Sequence, residues 1–493
     1  MWRTVLALAL VFSPCFLTVL AGQPLEIVRL LYDDGEVVQV TNGLVRYQFA
    51  ELGGSLRSAY VHFTSYRTQN MDAVPGWEGG VQPSLGPGVS LPFEVWLGEA
   101  TADPTVYALA VEPLAPDVAV VRLQRSGDGL VVDKAFTINW DAFYTMDVDV
   151  RVQAPGQKVR LVLGHRPSGR DVPDLRFLYD GKVYTAPLAP GTYTKFEGVG
   201  LVGKEMVYFL RVEEGAGTPF LGQNAAGQPV FGLEAIGELA IRGTLYSGRN
   251  RYLLLQRSGL EVLTPLGFFS RFLVWVMQFF EWLYRITGNY GWAIILFTLI
   301  TRIVVYPLMR NQYRSMAKMQ RLAPKLKKLQ ERYKDDRQAL QQQMMELYRQ
   351  EGVNPLGGCL PMLLQFPILI LLWQTIMYSA EQIHLSPGFL WIRDLSQPDP
   401  YYILLILATG AQLLQQWFTQ RRLPEPPTGG SQVLGWVFPL VMALLFMSFP
   451  AGLWLYWLLT TLLQIGQQWI FDWEMAREAR VPTATVDDGS QDQ

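Results

Sequence analysis

Cysteine and histidine are scarce in this chain of 493 residues. Only two cysteines, Cys15 and Cys359, and three histidines are present. Each cysteine lies in an apolar run with no other cysteine or histidine nearby at the spacing of metal ligands. A glycine-rich phosphate-binding loop is missing as well. The sequence therefore predicts no disulfide framework, no metal site and no cofactor.

Features of enzymes and of DNA-binding proteins are equally sparse. Residues 25–265 contain His62 and His165 but no recognisable nucleophile or metal motif, so nothing indicates an enzyme. The same region has slightly more acidic than basic side chains, which is not typical of a protein that binds DNA. Over the whole chain 41 basic residues nearly balance 43 acidic ones. Net charge therefore identifies no partner, whereas the distribution of charge does.

Apolar and aromatic residues are abundant, and the first apolar run is N-terminal. It extends from Thr4 to Pro24, directly after Arg3. A signal peptide cut after Ala21 would explain it, but the run is long enough to cross a hydrocarbon core of about 30 Å. We favour an uncleaved signal anchor over residues 1–24. In either case the residues that follow are exported.

Residues 25–265 have the texture of a β domain. Short alternating segments are separated by turn residues, as in Glu36 to Val40, then Thr41-Asn42-Gly43, then Leu44 to Phe49. Long helical periodicity is nearly absent. This spacing predicts an exported all-β domain, a large antiparallel sandwich.

A helical pattern begins after the β domain. In residues 266–287, Phe268, Phe272, Trp275, Phe279 and Leu283 recur three or four residues apart, while three charged residues interrupt the segment. This pattern predicts an amphipathic helix in the membrane interface, with its aromatic face toward the lipid. The alternative is a helix packed on the sandwich.

Five apolar segments follow, each close to the length that crosses a bilayer. With the N-terminal anchor they predict a multi-pass helical bundle with spans at 290–309, 359–379, 401–418, 433–449 and 453–471.

Charge in the connecting loops predicts the orientation. Residues 310–354 contain eleven Lys or Arg against five Asp or Glu, and Arg421 with Arg422 mark a second basic loop. By the positive-inside rule both loops are cytoplasmic. Residues 25–287 are then extracytoplasmic, and the acidic tail 473–493 ends in the cytoplasm.

The basic loop 310–354 is itself periodic. Its apolar positions form two stripes on either side of residues 335 and 336, which predicts two antiparallel amphipathic helices. Such a hairpin would present its basic side chains to solvent, lipid headgroups or ribosomal RNA: Lys318, Arg321, Lys325, Lys327, Lys328 and Arg332. A plain solvated basic face is the alternative to specific binding.

One charged residue lies inside the first of the five spans. Arg302 would cost roughly 2.5 to 3.5 kcal/mol near the middle of a bilayer, so such a residue normally faces a polar interior or water. The rival explanation is that its long side chain reaches back to the headgroups. No Asp or Glu lies in any of the five spans to neutralise it, and proton- or cation-coupled transporters commonly use such carboxylates.

Polar residues in the spans indicate a hydrated groove around Arg302. Thr298 lies one turn before it, and the last span has Tyr456, Thr460, Gln464 and Gln467 on one face. Further amides come from Gln365, Gln374 and Gln412. The alternative is that these residues only join helices through hydrogen bonds.

Several motifs over residues 288–472 closely resemble the YidC membrane protein insertases. They are Tyr306-Pro-Leu, Gln312-Tyr-Arg-Ser-Met-Ala-Lys-Met, Asn354-Pro-Leu-Gly-Gly-Cys-Leu-Pro, Leu364-Gln-Phe-Pro-Ile, Trp391-Ile-Arg-Asp-Leu, Asp399-Pro-Tyr-Tyr-Ile-Leu and Phe449-Pro-Ala-Gly-Leu. The resemblance implies the bacterial type with a large outer domain: a β-supersandwich, a cytoplasmic helical hairpin, and a five-helix core around a groove. It assigns the groove arginine to Arg302, its hydroxyl neighbour to Thr298, and an aromatic pair to Tyr456 and Trp457.

The resemblance also implies a function in the bacterial inner membrane. The expected substrates are nascent membrane proteins, whose hydrophobic segments pass from the cytoplasm into lipid with or without a Sec translocon. The acidic tail departs from the basic tail of many members, so any contact with the ribosome would rest on the hairpin and on Arg421 and Arg422. The alternatives are an anion-selective transporter and a structural factor for envelope assembly.

Overall fold

The computed structural model describes residues 24–33, 35–64, 70–74, 90–127, 129–166, 172–334, 336–352, 360–422 and 430–478. These residues form two compact units. The β unit reaches Pro265, and the helical unit begins at Leu266.

The β unit consists of two antiparallel sheets. The smaller sheet contains β1 to β5 in chain order: Glu26–Tyr32, Gly35–Thr41, Val45–Ala50, Ser55–Val61 and Met71–Asp72. The larger sheet contains β6 to β16: Val95–Leu97, Ala108–Ala115, Val118–Gly127, Leu130–Asn139, Thr145–His165, Asp174–Tyr179, Lys182–Tyr184, Phe196–Val202, Met206–Ala216, Thr218–Gln223 and Pro229–Arg249. Its main order is β12-β11-β13-β14-β16-β10-β9-β8-β7, with β15 paired to β16 and β6 to β10. A helix, α1 (Tyr252–Arg257), follows the last strand.

The two sheets are held together by aromatic side chains from both. Phe136 of β9 lies 4.9 Å from Phe49 of β3 and 5.0 Å from Phe93, measured between ring centroids. All three rings are fully buried, and such pairs add to the stabilisation from buried area. The all-β prediction for this region is therefore confirmed, and the sandwich core lies between the sheets.

One charged side chain lies in the buried row of an alternating strand. In β9 the inward positions are Leu130, Val132, Lys134, Phe136 and Ile138. The ammonium group of Lys134 donates to the carbonyls of Gly53, Gly54 and Phe93, at distances from Nζ of 3.3, 2.8 and 2.7 Å. Gly54 has a φ of +55°, and a Cβ there would lie 2.7 Å from the Tyr107 ring. Glycine is therefore needed where this backbone turns toward the lysine.

The helical unit contains eight helices among the described residues. They are α2 (Phe268–Thr287), α3 (Tyr290–Arg332), α4 (Arg337–Gln350), α5 (Leu360–Tyr378), α6 (Ala380–Leu385), α7 (Ile403–Arg422), α8 (Gly430–Leu445) and α9 (Ala451–Glu478). Its core includes Phe280 of α2, Ile294 of α3, Ile376 of α5 and Trp454 of α9. The fold class predicted from the sequence is a β domain followed by a helical bundle, and this is the observed architecture.

The helix boundaries differ most from the predicted ones at two places. The first span and the first helix of the hairpin were expected as separate elements meeting at residue 310, but α3 continues through this position for 43 residues. The composition of the chain changes from apolar to basic near residue 310, but such a change does not by itself end a helix. The last span was expected to end at residue 471, but α9 extends to Glu478. The predicted anchor 1–24 falls almost entirely outside the described residues, and so does the tail from residue 479.

Length and composition single out one potential membrane span among the described residues. It is Tyr290–Met309, with 20 residues, while Gln365–Tyr378 and Gly435–Leu445 are shorter apolar helical segments. The other predicted spans stay predictions.

Helix α2 divides its apolar residues between two faces. Val276, Phe280 and Leu283 are buried in the core of the helical unit. On the other face Phe272, Trp275, Phe279 and Trp282 stack in sequence, with centroids 6.2, 6.3 and 5.8 Å apart. The single stripe predicted from the sequence is therefore wrong in one respect: Leu283 belongs to the buried face, whereas Phe272 and Trp275 are exposed.

Candidate functional site

Arg302 lies on the inward face of α3. The side chain is only 6% exposed, whereas its neighbours Ile303 and Val304 are 67% and 71% exposed. The turn before it contributes Phe297 to the core. The guanidinium therefore points into the bundle, which does not fit an arginine that reaches back along the helix to the headgroups.

Two polar side chains from other helices meet at Arg302. Its Nη2 donates to Gln365 Oε1 of α5 at 2.7 Å, and Gln365 Nε2 donates to the hydroxyl of Tyr456 of α9, also at 2.7 Å. This chain of hydrogen bonds joins three helices. The glutamine supplies the arginine with an acceptor that is neutral.

The space beside this polar group is small. It is lined by Thr301, Arg302, Val305, Met309, Gln365, Ile368 and Tyr456, and the centre of a water molecule can explore about 10 Å³ of it. That is room for roughly one water molecule. In this conformation the described residues thus enclose the guanidinium, and a substrate group must displace a neighbour to reach it.

The other groove residues predicted near Arg302 do not line this space. Thr298 is buried one turn away, but its hydroxyl donates to Ile294 O of its own helix at 2.7 Å. Trp457 packs against the core and stacks on Trp454, with centroids 5.6 Å apart. Thr460 is buried in α9, one turn beyond Tyr456. Of the groove residues predicted in the last span, Tyr456 thus lines the space beside Arg302, and of the further amides Gln365 does.

Glutamines form a second polar region further along α9. Gln464 Oε1 accepts from Gln415 Nε2 of α7 at 3.2 Å, and Gln420 Oε1 accepts from the indole N–H of Trp436 of α8 at 3.1 Å. Gln412, predicted for the groove, is partly buried in α7. These contacts match the alternative reading of the polar stripe, in which amides join neighbouring helices.

The loop of residues 386–402, between α6 and α7, closes the bundle at the end away from the helical hairpin. It buries Phe389, Ile392 and Leu395 in the same core as α3 and α9. Its backbone accepts from α9, with Gly452 N donating to Leu395 O at 2.9 Å. Asp399 accepts from the backbone N–H of Leu404 at 2.8 Å and so caps α7.

The basic residues predicted to make contacts from the hairpin lie on α3. Lys325, Lys328 and Arg332 are exposed, and Lys325 Nζ lies 2.5 Å from Glu351 Oε1. The side chains of Lys318, Arg321 and Lys327 lie outside the described residues. In the second basic loop Arg421 stacks on Trp417, with its guanidinium carbon 3.8 Å from the ring centroid, while the side chain of Arg422 is not among those described.

Gln365 has no local signal in the sequence that distinguishes it from the other amides. It is one of several amides in the spans and lies within the motif Leu364-Gln-Phe-Pro-Ile. An amide in an apolar helix is a common device for joining helices. Choosing Gln365 would have required knowing that α5 crosses α3 at the level of Arg302.

Comparison with known sequences identifies relatives of the helical unit. Residues 282–478 match the model of the family described as 60Kd inner membrane protein. A membrane protein insertase YidC from Francisella tularensis subsp. novicida is 48% identical over 206 residues, which is 42% of this chain and 36% of that relative. The protein of the same name from Francisella tularensis subsp. tularensis strain WY96-3418 gives the same values. The match thus spans about a third of the length of these curated relatives.

Solved structures extend the likeness to nearly the whole chain. A crystal structure of an active YidC insertase with its first transmembrane domain resolved covers 94% of this chain and 98% of its own, with a TM-score of 0.54 and 23% identity. YidC from Thermotoga maritima covers 90% and 99%, with a TM-score of 0.51 and 17% identity. At these identities the likeness concerns the fold, which includes the β unit.

Proposed function

We propose that this chain is a membrane protein insertase of the YidC family, to whose members its helical unit is similar in sequence and its fold is similar in structure. It moves nascent hydrophobic segments from the cytoplasm into the bacterial inner membrane and assists the folding of membrane proteins. The observation that carries this proposal is the buried cation Arg302, which donates to the neutral side chain of Gln365 inside the helical bundle.

Arg302 attracts the acidic flank of an incoming segment. A carboxylate that reaches the guanidinium forms a charge-assisted hydrogen bond, which is roughly twice as strong as a neutral one. The low dielectric of the bundle strengthens this attraction further. A short polar flank is thereby held while its hydrophobic neighbour remains beside the protein.

The exposed face of α3 offers the route into lipid. Ile303, Val304 and Leu308 are all largely exposed next to Arg302. A hydrophobic segment that leaves along this face gains about 0.8 kcal/mol for each methylene group that it removes from water. Partitioning into lipid therefore drives insertion, and no cofactor, nucleotide or enzymatic step is required.

The orientation follows from the charge of the loops. The helical hairpin and the Arg421 loop are cytoplasmic, the β unit is periplasmic, and the chain crosses the membrane several times. Helix α2 lies in the outer interface, which its four stacked and partly exposed aromatic rings support.

The partners follow from the same charges. The exposed basic residues Lys325, Lys328 and Arg332 on the hairpin, together with Arg421, suit lipid headgroups or the ribosome. A Sec translocon is a further partner for substrates with large translocated parts. The acidic composition of residues 473–493 does not support docking of the tail on RNA.

Insertion into proteoliposomes that contain only this protein tests the proposal. The substrate is a small single-span protein with either Asp or Asn in its translocated flank. We expect the parent to insert the Asp substrate about tenfold better than the Asn substrate, because a charged hydrogen bond contributes roughly 1.5 to 3 kcal/mol. Arg302→Ala loses this preference, and Arg302→Lys retains most of it.

Arg421→Ala is the matched control, since it removes an exposed arginine from another helix of the unit. It should keep the preference for the acidic flank. Insertion that does not depend on the protein, or a preference that survives in Arg302→Ala, would contradict the proposal. Movement of small anions in the absence of substrate would favour an anion transporter instead.

A further inference from the structure

Gln365 occupies the position at Arg302 that a substrate carboxylate would need. Arginine can only donate hydrogen bonds, so the oxygen of the amide must face it and the NH₂ group must face Tyr456. The two observed distances of 2.7 Å agree with this orientation. The amide oxygen thus stands where one oxygen of a bound carboxylate would lie.

The space at the site is too small for the Gln365 oxygen and a substrate carboxylate to bind Arg302 at the same time. The cavity has room for roughly one water molecule, whereas a carboxylate with its side chain needs more. An acidic group therefore reaches Nη2 of Arg302 by taking the place of the Gln365 oxygen. The net gain is the difference between the bond that the guanidinium makes to a carboxylate and the bond that it makes to a neutral amide.

We propose that Gln365 is a specificity-determining residue of the insertase. In the empty protein it engages Arg302 as a neutral acceptor, and a carboxylate in the substrate flank displaces it because the carboxylate binds the guanidinium more strongly. A neutral polar flank gains nothing by the same exchange, since it replaces one amide with another. This inference rests on the proposed function. It attributes the preference for an acidic flank to competition between Gln365 and the substrate carboxylate for Arg302.

The arrangement also explains how the glutamine can leave. Pro367 lies two residues later in α5 and has no backbone N–H to donate, so one hydrogen bond of the helix is missing close to Gln365. The opening turns of α5 are therefore easier to displace than a regular helix. Tyr456 remains near the released amide as a partner.

Three substitutions in the full-length protein test the competition, again with the paired Asp and Asn substrates. Gln365→Glu gives Arg302 a permanent charged partner, so we expect the tenfold preference for the acidic flank to fall to about one. Gln365→Ala removes the competitor, so the preference remains and insertion of the Asn substrate rises about two- to fivefold, as one regained hydrogen bond allows. Gln374→Glu, nine residues further along α5, is the control for an added carboxylate and should keep the preference.

The outcomes separate this inference from the function on which it rests. A parent with no preference for the acidic flank would overturn both. A parent preference that persists in Gln365→Glu, or is lost to the same extent in Gln374→Glu, would overturn only the role of Gln365. If Gln365→Glu does not fold, Gln365→Ala decides alone: insertion of the Asn substrate that stays at the parent level contradicts the competition.

Discussion

Two buried cations of this molecule, one from each unit, can be compared closely. Lys134 in the β unit is fully buried, and Arg302 in the helical unit is 6% exposed. Burial alone would make either residue a candidate site, because burying a charge is costly unless it is paired. The two differ in what surrounds the charge.

Lys134 has a complete set of partners. Three carbonyls accept from its ammonium group, and the Tyr107 ring centroid lies 4.3 Å from Nζ. The carboxylates of Asp103 and Glu94 attract it, although burial still lowers the pKa of Lys134 to about 7. Arg302 instead donates to a neutral amide. Backbone carbonyls are fixed parts of the fold, so a cation that they bind stabilises that fold, whereas the neutral side-chain amide at Arg302 can be exchanged for a stronger acceptor.

The largest expected effect is the loss of the lysine. Lys134→Met leaves three buried carbonyls without their donor, which should lower the free energy of unfolding of the β unit by about 3 to 5 kcal/mol. Hydrogen exchange of the β9 amides in the full chain measures this change. The exposed Lys182 provides the control, and Lys182→Met should change exchange by less than about 0.5 kcal/mol. If Lys134→Met and Lys182→Met had equal effects, Lys134 would not be a stabilising cation of the β unit, and it would no longer differ from Arg302 in this respect.

The next effect concerns pH, because Glu94 lies in the same buried cluster. Burial raises the pKa of Glu94 to about 7, although the Leu91 N–H and the Trp96 indole N–H both donate to it. The folded β unit therefore binds a proton that the unfolded chain releases between pH 4.5 and 7. The stability due to this group is fully present below pH 4.5 and is lost as the pH rises through about 7, by about 3 kcal/mol at most.

Glu94→Gln tests this assignment, since it removes the titrating group and keeps the shape. From pH 4.5 to 7 the stability of the β unit should decline less in the variant than in the parent, because the variant lacks the titration of Glu94. Hydrogen exchange of the β9 amides measures this decline. The titration of Lys134 has the opposite sign, because its lowered pKa makes stability rise between about pH 7 and 10.5. Identical slopes in the parent and in Glu94→Gln would show that Glu94 does not bind this proton.

The sequence indicates a special environment for Arg302 but not for Lys134. Arg302 is a lone charge in an apolar run, which is a local signal that needs no knowledge of the fold. The acceptors of Lys134 are backbone carbonyls of Gly53, Gly54 and Phe93, some 41 to 81 positions away, so no local signal marks this lysine. Alternation predicts which face of the sheet a strand residue occupies, but it does not predict which groups bind a charged side chain on that face.

The same limit explains which parts of the site were predicted. The stripe Tyr456, Thr460 and Gln464 follows from helical spacing, but spacing within α9 cannot tell that Tyr456 meets α5 whereas Gln464 meets α7. Gln365 depends entirely on the crossing of two helices 63 positions apart. The architecture could therefore be predicted from periodicity and motifs, whereas the partner of Arg302 required the packing.

The smallest expected change in stability tests the functional side of the comparison. Arg302→Met removes the hydrogen bond to Gln365 but also the cost of burying a charge, so the two contributions largely offset each other. We expect the helical unit to change by no more than about 1 kcal/mol in hydrogen exchange of α3, although insertion of the acidic-flank substrate falls. Ile294→Ala in the same helix is the reference, because truncating that fully buried side chain should cost about 2 to 5 kcal/mol. If Arg302→Met destabilised α3 as much as Ile294→Ala does, Arg302 would have to be regarded as a structural cation like Lys134, and its loss of insertion activity would follow from unfolding rather than from the missing charge.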